Sequence, residues 1–431
     1  MTAASGGLLT GKGDHVLSDR SRPVIEATLP VVAENIEEIA TRFYTHLFGE
    51  HPQLIDGVFN RGNQAEKTQQ MALAGSVAVF ASALVKVPEQ LPEHLLSRIA
   101  HKHASLGITP AQYEVVHDHL FWAIVDVLGD AVTPEVAAAW DEVYWLMAYA
   151  LINQERGLYS ARGVRPETVW REWEVAERIE ETEDVVTFRL RRTDDRLVKT
   201  SLPGQYVTVQ VPMPDGVRQP RQYSLTRADD GEHRQFSVKR VRGDGRPDGE
   251  VSNLLCDTLQ VGDRLTTSLP FGDVVLDDSR PVVFASAGIG ITPMAGMLSH
   301  LVAAGSHLSI TLLHADADEA SFALRRQVLA DVQALPGASA HVWYERGADT
   351  TLPVEVNAGQ MDVEDIKLPS DAIYYLCGPL PFMKAVRSSL IDRGVAARDI
   401  QYEVFGPDLW QADLVTEETP GASHHGVPPA G

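Results

Sequence analysis

The spacing of hydrophobic residues changes twice along the chain, and the changes divide it into three regions. From residue 23 to about 163, apolar side chains recur every three or four positions, as in Leu29, Val32, Ile36, Ile39, Phe43 and Leu47. That is the spacing of helices with one buried stripe, so this region is predicted to be all α. Thr109-Pro110-Ala111-Gln112 reads as a helix start, with a capping hydroxyl, proline at the first helical position and glutamine three residues after the cap. From about Glu167 the period becomes two, as in Tyr206-Val207-Thr208-Val209-Gln210-Val211, with Pro203-Gly204 and Val261-Gly262-Asp263 as turns. A small antiparallel β domain is predicted there. Beyond Arg280, strand-like runs at 282–285, 308–314 and 373–376 alternate with helical ones, the pattern of a parallel α/β sheet.

These regions place domains at 23–163, 167–275 and 280–410, with disordered tails expected at 1–22 and 411–431. A length of 431 residues agrees with several domains, because one hydrophobic core does not extend over that much chain. The 37 basic and 59 acidic residues leave a formal charge of −22, which repels nucleic-acid phosphates and anionic membranes. No nucleic-acid partner and no membrane insertion are expected, and a small uncharged substrate fits better. With only Cys256 and Cys377, neither a disulfide framework nor an all-cysteine metal site can be built within one chain. The N-terminal stretch has no apolar signal core, so a cytoplasmic protein is expected, with a monomer favoured.

Candidate chemistry in the helical region centres on His103. Leu96, Ile99 and His103 share one helical face, which aims the imidazole inward, whereas His101 falls with the polar His94, Ser97 and Arg98. A lone inward histidine is ordinarily a satisfied core residue. Its neighbours change that reading. Glu155 follows Tyr144, Ala148 and Leu151 on an apolar face, where an unpaired carboxylate is costly, and His103 and Tyr113 are the candidate partners. A carboxylate on the far side of an imidazole makes the ligating nitrogen more basic, which suits an iron site that activates oxygen. Gln69 heads the apolar stripe Leu73, Val77, Phe80 and Leu84, and Tyr44 adjoins Phe43, giving two polar tips on otherwise apolar faces.

With Phe59 in Val58-Phe59-Asn60, Thr41-Arg42-Phe43-Tyr44, Lys102-His103 and Ile152-Asn153-Gln154-Glu155, the helical region resembles the bacterial globin of flavohaemoglobins. The resemblance implies haem b with His103 as the ligand of its iron, and Tyr113 and Glu155 behind that ligand. It also implies a distal pocket of Tyr44, Gln69 and Leu73, with Phe59 packed on the haem and Lys102 beside it.

In the β region, Arg221-Gln222-Tyr223-Ser224 follows the strand that opens with Tyr206. Arginine can pair with a diphosphate, tyrosine can cover a flavin ring and serine can bond its polar edge. Downstream, Gly249, Val251 and Ser252 sit where a helix should begin, a place suited to phosphate. In this order the segments resemble the FAD-binding barrel of ferredoxin reductase-like enzymes. In the last region, Gly288-Ile289-Gly290-Ile291-Thr292-Pro293 joins a strand to a helix, the context of a dinucleotide phosphate turn, and its proline departs from the common third glycine. Cys377-Gly378-Pro379 follows a later strand. The family places that turn beside the nicotinamide, although Cys377 also reads as an inert buried thiol. Val404-Phe405-Gly406-Pro407 carries the aromatic that in the family covers the flavin, with Val404 where some relatives carry cysteine. His314-Ala315-Asp316-Ala317-Asp318 offers no arginine to a 2′-phosphate and two carboxylates against one, so NADH is expected over NADPH.

The three regions stand in flavohaemoglobin order over residues 23–407: an all-α globin, an antiparallel FAD-binding β-barrel and a parallel-sheet α/β NAD-binding domain. The family implies nitric oxide dioxygenase activity, turning NO and O2 into nitrate with electrons passing from NAD(P)H through FAD to haem. The alternatives are a gas-sensing globin with a resetting reductase, and a flavin or alkyl hydroperoxide reductase.

Overall fold

The computed structural model describes residues 16–59, 68–196, 199–243, 248–347, 354–369 and 371–406, with the backbone alone described for 68–74. The helical region holds α1 (Ser21–Glu34), α2 (Ile36–Glu50), α3 (Thr68–Lys86), α4 (Ser97–Leu106), α5 (Pro110–Leu128) and α6 (Pro134–Arg162). The apolar stripe from Leu29 to Leu47 crosses a break between α1 and α2 at Asn35, whose backbone (φ −102°, ψ 8°) leaves the helical region. Hydrophobic spacing cannot see such a break, because the stripe resumes in phase. α5 begins at the predicted capping box of Thr109 and Gln112. α6 runs for 29 residues from a Thr133 cap to Gly163, where a left-handed φ of 65° ends it. The helices enclose one core that includes Ile25, Phe43, Phe80, Trp140 and Leu151. Leu17 is fully buried in this core and the Ser18 amide donates to Glu142. An apolar residue just ahead of α1 thus finds a place in the core.

The β region forms a six-stranded antiparallel sheet in the order β4-β3-β6-β1-β2-β5. Its strands are β1 (Trp170–Glu180), β2 (Val185–Arg192), β3 (Tyr206–Pro212), β4 (Arg218–Ser224), β5 (His233–Lys239) and β6 (Arg264–Ser268). The sheet curls until Leu225, just beyond β4, bridges Phe236 in β5, joining its two edges. α7 (Glu250–Thr258) plugs one end with Val251, Leu255 and Cys256.

The last region is a parallel sheet in the order β10-β9-β8-β7-β11-β12. It comprises β7 (Val282–Ala287), β8 (Ile310–Asp316), β9 (Ala338–Tyr344), β10 (Glu355–Ala358), β11 (Ile373–Cys377) and β12 (Ile400–Glu403). α8 (Ile291–Ala303) and α9 (Arg325–Ala334) pack on one face, and α10 (Leu380–Asp392) on the other. The order reverses around β7, where the Gly288 turn emerges, and a crevice at the carboxyl ends of such strands is where ligands bind.

Candidate functional site

α4 and α6 bring His103 and Glu155 together although 52 residues separate them. His103 Nδ1 lies 2.8 Å from Glu155 Oε1 and 2.9 Å from the Tyr113 hydroxyl. Tyr113 in turn donates to Glu155 Oε1 at 2.5 Å. A carboxylate only accepts, so Nδ1 carries the imidazole proton and Nε2 keeps its lone pair. Burial and the Glu155 charge push the Tyr113 hydroxyl far above the usual phenol range, so it remains a donor. The predicted partnership of Glu155 is met on both counts, and the carboxylate is 2 % exposed. Tyr144 donates to the Tyr113 carbonyl at 2.6 Å and fixes α5 against α6 behind the triad. The His103 side chain is 31 % exposed although Ala100 and Ala104 on either side are fully buried.

Tyr44, on α2, packs edge-on against Phe59 at 5.9 Å and tilts over Phe48 at 5.6 Å. Its side chain is buried, and burial raises the hydroxyl far above the ordinary range. Gln69 and Leu73 belong to α3, but their side chains lie outside the described residues.

On the barrel, Arg221, Gln222, Tyr223 and Ser224 form the end of β4 paired with β3, and Ser224 faces Tyr206 in register. The Tyr223 ring stacks on the buried Phe236 at 5.2 Å. Gln222 Nε2 donates to Thr208 Oγ1 at 3.2 Å, and Arg221 donates to the Pro220 carbonyl at 2.8 Å. Gly249 caps α7 as expected. A Cβ there would stand 2.5 Å from Ser252 Oγ and 2.6 Å from Val241 Cβ, so only glycine lets the loop fold onto the helix start. Ser252 Oγ is engaged with the Gly249 carbonyl and the Val241 amide. Val251 points into the barrel core, which leaves its backbone N–H as the group it can offer to a phosphate.

In the parallel domain, Gly288 takes a left-handed φ of 53°, which turns the chain out of β7. Gly290 comes so close to the neighbouring strand that a Cβ would lie 2.2 Å from the Cys377 carbonyl. Ile289 accepts a bond from Thr292 at 2.9 Å, and Ile291, Thr292 and Pro293 are buried in the first turn of α8. The three turn positions and Cys377-Gly378-Pro379 therefore form one edge, with Pro379 starting α10. Burial, reinforced by Glu403, holds the Cys377 thiol well above its ordinary range. Cys377 pairs in register with Glu403, after which Val404 is half-buried, Phe405 is 51 % exposed and Gly406 takes a φ of 135°. Pro407 lies outside the described residues.

Three family models match consecutive parts of the chain: Globin at 41–151, Oxidoreductase FAD-binding domain at 172–275 and Oxidoreductase NAD-binding domain at 284–388. A flavohemoprotein of Bordetella parapertussis is 41% identical over 402 residues, covering 91% of this chain and 99% of its own. The chain belongs to the flavohaemoglobin family. A flavohaemoglobin-family relative from Rhizobium meliloti, also named flavohemoprotein, is 37% identical over 409 residues, 92% of this chain and all of its own. The crystal structure of flavohemoglobin from Malassezia yamatoensis, with bound FAD and heme, superposes with a TM-score of 0.83 at 37% identity, covering 90% of this chain and all of that one.

The junction between globin and reductase is the part of this flavohaemoglobin chain that sequence reasoning missed. α4 turns His103 toward the globin interior, and turns Arg98, His101, Lys102 and Ser105 toward the reductase. Arg98 donates to the Tyr402 carbonyl at 2.7 Å and lies 4.4 Å over that ring. His101 Nδ1 accepts from the Gly272 amide at 2.9 Å, and Ser105 accepts from Thr208 Oγ1 at 2.7 Å. The Lys102 ammonium is lowered from its usual range by burial and by Arg221. Below this helix, Ala104, Tyr159, Val169, Tyr206, Leu269 and Phe271 make a small core shared by both domains. Tyr206 thus belongs to the junction, its hydroxyl raised by burial, Glu403 and Asp273. A polar set at 98, 101, 102 and 105 has the spacing of one helix face, which a solvated face also has.

Proposed function

We propose that the protein is an NAD(P)H-dependent nitric oxide dioxygenase that converts NO and O2 to nitrate. The observation that carries this reading is the buried His103–Tyr113–Glu155 triad in a chain that also has FAD- and NAD-binding domains. The relative from Malassezia yamatoensis holds FAD and heme, and the reductase domain matched in Vibrio cholerae, at 34% identity over 55% of this chain and 99% of its own with a TM-score of 0.50, belongs to a nitric oxide dioxygenase.

The residues present fit these groups. His103, whose Nδ1 is taken by Glu155, has Nε2 left to offer, which suits haem iron, and Tyr44 offers the hydroxyl of a buried side chain. Gly249 and the α7 start, with Arg221 and Lys102 close enough to repel each other, suit an anionic flavin nucleotide. The Gly288–Gly290 turn against Cys377 suits a nicotinamide dinucleotide. When bound, NADH supplies hydride, FAD converts it to single electrons and haem supplies the iron at which oxygen is activated.

Glu155 holds the proton on His103 Nδ1, aligns the ring and makes Nε2 more electron-rich, which favours oxygen activation over storage. Tyr113 bonds the same carboxylate oxygen and keeps it from turning away. Tyr44 donates its hydroxyl to a ligand in the distal pocket, with Gln69 and Leu73 expected beside it and Phe59 as a wall. Arg221, Gln222, Tyr223 and Ser224 would hold the flavin, and Phe405, exposed just beyond β12, would serve as an aromatic cover that yields to nicotinamide. Asp316 at the end of β8 disfavours a 2′-phosphate, and Asp318 just beyond it occupies the Arg346 guanidinium, so NADH is the preferred donor.

The purified protein loaded with haem and FAD is expected to consume NO with stoichiometric O2 and NADH. His103→Ala is expected to abolish this while NADH reduction of an artificial dye continues. NO turnover that survives His103→Ala would overturn the assignment.

A further inference from the structure

A chain of hydrogen bonds crosses from the RQYS strand to the helix that carries His103. Gln222 Nε2 donates to Thr208 Oγ1 at 3.2 Å, Thr208 Oγ1 donates to Ser105 Oγ at 2.7 Å, and Ser105 Oγ donates to the Lys102 carbonyl at 2.7 Å. Each hydroxyl passes on its single proton, so the direction of all three bonds is fixed. Thr208 and Ser105 are fully buried. The Thr208 amide also donates to Ser268 Oγ at 2.9 Å, which pins β3 to β6 at the same residue. Ser105 further contacts the Tyr206 hydroxyl. The chain therefore ends one residue from His103 and begins in the segment read here as the flavin cradle.

We propose that Thr208 and Ser105 are positioning residues for electron transfer, fixing the flavin-holding strand relative to the haem-holding helix. The inference rests on the proposed function for the identity of the two groups and goes beyond it in assigning two residues outside the proposed haem and flavin sites. The apolar core beside it, with Phe271, Leu269 and Tyr159, resists separation of the domains but tolerates sliding, because hydrophobic contact has no direction. Buried hydroxyls do have direction. Sliding by an ångström breaks the Thr208–Ser105 bond and leaves the buried Thr208 hydroxyl proton without its acceptor, which is the kind of displacement a packed interface resists least by itself. In the reaction, NADH gives up two electrons as hydride and two one-electron transfers to iron follow, so these residues act on the second stage and leave the first alone.

The test uses the full-length protein with haem and FAD, mixed anaerobically with NADH in a stopped-flow instrument. Thr208→Val keeps the shape of the side chain and removes its hydroxyl, whereas Thr208→Ser keeps the hydroxyl. Thr208→Val is expected to slow haem reduction about tenfold, on the scale that ångström misplacement costs. Flavin reduction by NADH and dye reduction are expected within about twofold of the parent, and Thr208→Ser is expected to restore haem reduction. Hydrogen exchange in the peptides covering 102–108 and 206–210 is expected to rise in the valine variant and return to the parent level in the serine variant, a readout independent of turnover. Ser105→Ala breaks the same chain from the globin side and serves if Thr208→Val does not fold. Unchanged haem reduction in the variants, or an equal fall in flavin and haem reduction, overturns the proposal. Because NO takes no part in the assay, a failure of NO turnover with the split intact counts against the proposed function alone.

Discussion

Acid should open the junction between globin and reductase through a single imidazole. His101 accepts the Gly272 amide through Nδ1, which requires that nitrogen to be unprotonated. Burial pushes the imidazole down to about 4 from 6.5, with Asp273 pulling it up and Arg162 pushing it further down. Above pH 6.5 the closed and open junctions both carry a neutral ring, so the bond contributes fully. As pH falls from 6.5 toward 4, the open junction gains a proton that the closed one refuses. Stability is then lost by about 1.4 kcal/mol per pH unit, levelling off at about 3 kcal/mol once the closed form also protonates. That corresponds to about two orders of magnitude in the open fraction. His101→Gln keeps an acceptor but does not titrate, and both proteins share every carboxylate, so comparing them at each pH isolates the imidazole. The assay is hydrogen exchange of the peptide spanning Gly272 at pH 7, 6 and 5. Protection in the parent should fall below that of the glutamine variant as pH drops. Parallel profiles for the two proteins from pH 7 to 5 would falsify the role given to His101.

Three other expectations follow from the same geometry. Glu155→Gln removes the charge behind His103 and should lower NO consumption roughly 10- to 100-fold with dye reduction unchanged, as steady-state rates will report. Gly290→Ala places a Cβ 2.2 Å from the Cys377 carbonyl, so the turn must move. That variant should lose roughly 1–3 kcal/mol of stability and raise KM for NADH, read by thermal unfolding and kinetics, and an unchanged KM would count against the turn as the nucleotide site. Asp318 binds Arg346 at 2.8 Å, and Asp318→Asn should free that guanidinium for a 2′-phosphate, improving kcat/KM for NADPH relative to NADH about tenfold.

This last pair shows where sequence reading runs out. Residues 314–318 contain no arginine, and the one that approaches them enters from the end of β9, 28 residues later. The change of hydrophobic period was visible along the chain because it is a local property of backbone geometry. The His103–Tyr113–Glu155 set was visible for a different reason: a carboxylate on an apolar helix face demands a partner, and few were in reach. The α1–α2 break and the burial of Leu17 were hidden because neither disturbs the stripe. His101 was assigned to a polar face with Ser97 and Arg98, and the structure sets that face against another domain. A polar residue satisfied by water and one satisfied by a distant amide look the same in sequence.

α4 has ten residues, so its length is about 15 Å, and a ligand face and a docking face share fewer than three turns. For recombination this moves the seam. A chimera cut at the 163–167 linker separates the covalent chain in the expected place but carries a foreign docking face into the pairing. A compatible exchange transplants Arg98, His101, Lys102 and Ser105 together with the reductase, so the exchangeable unit includes one face of a globin helix.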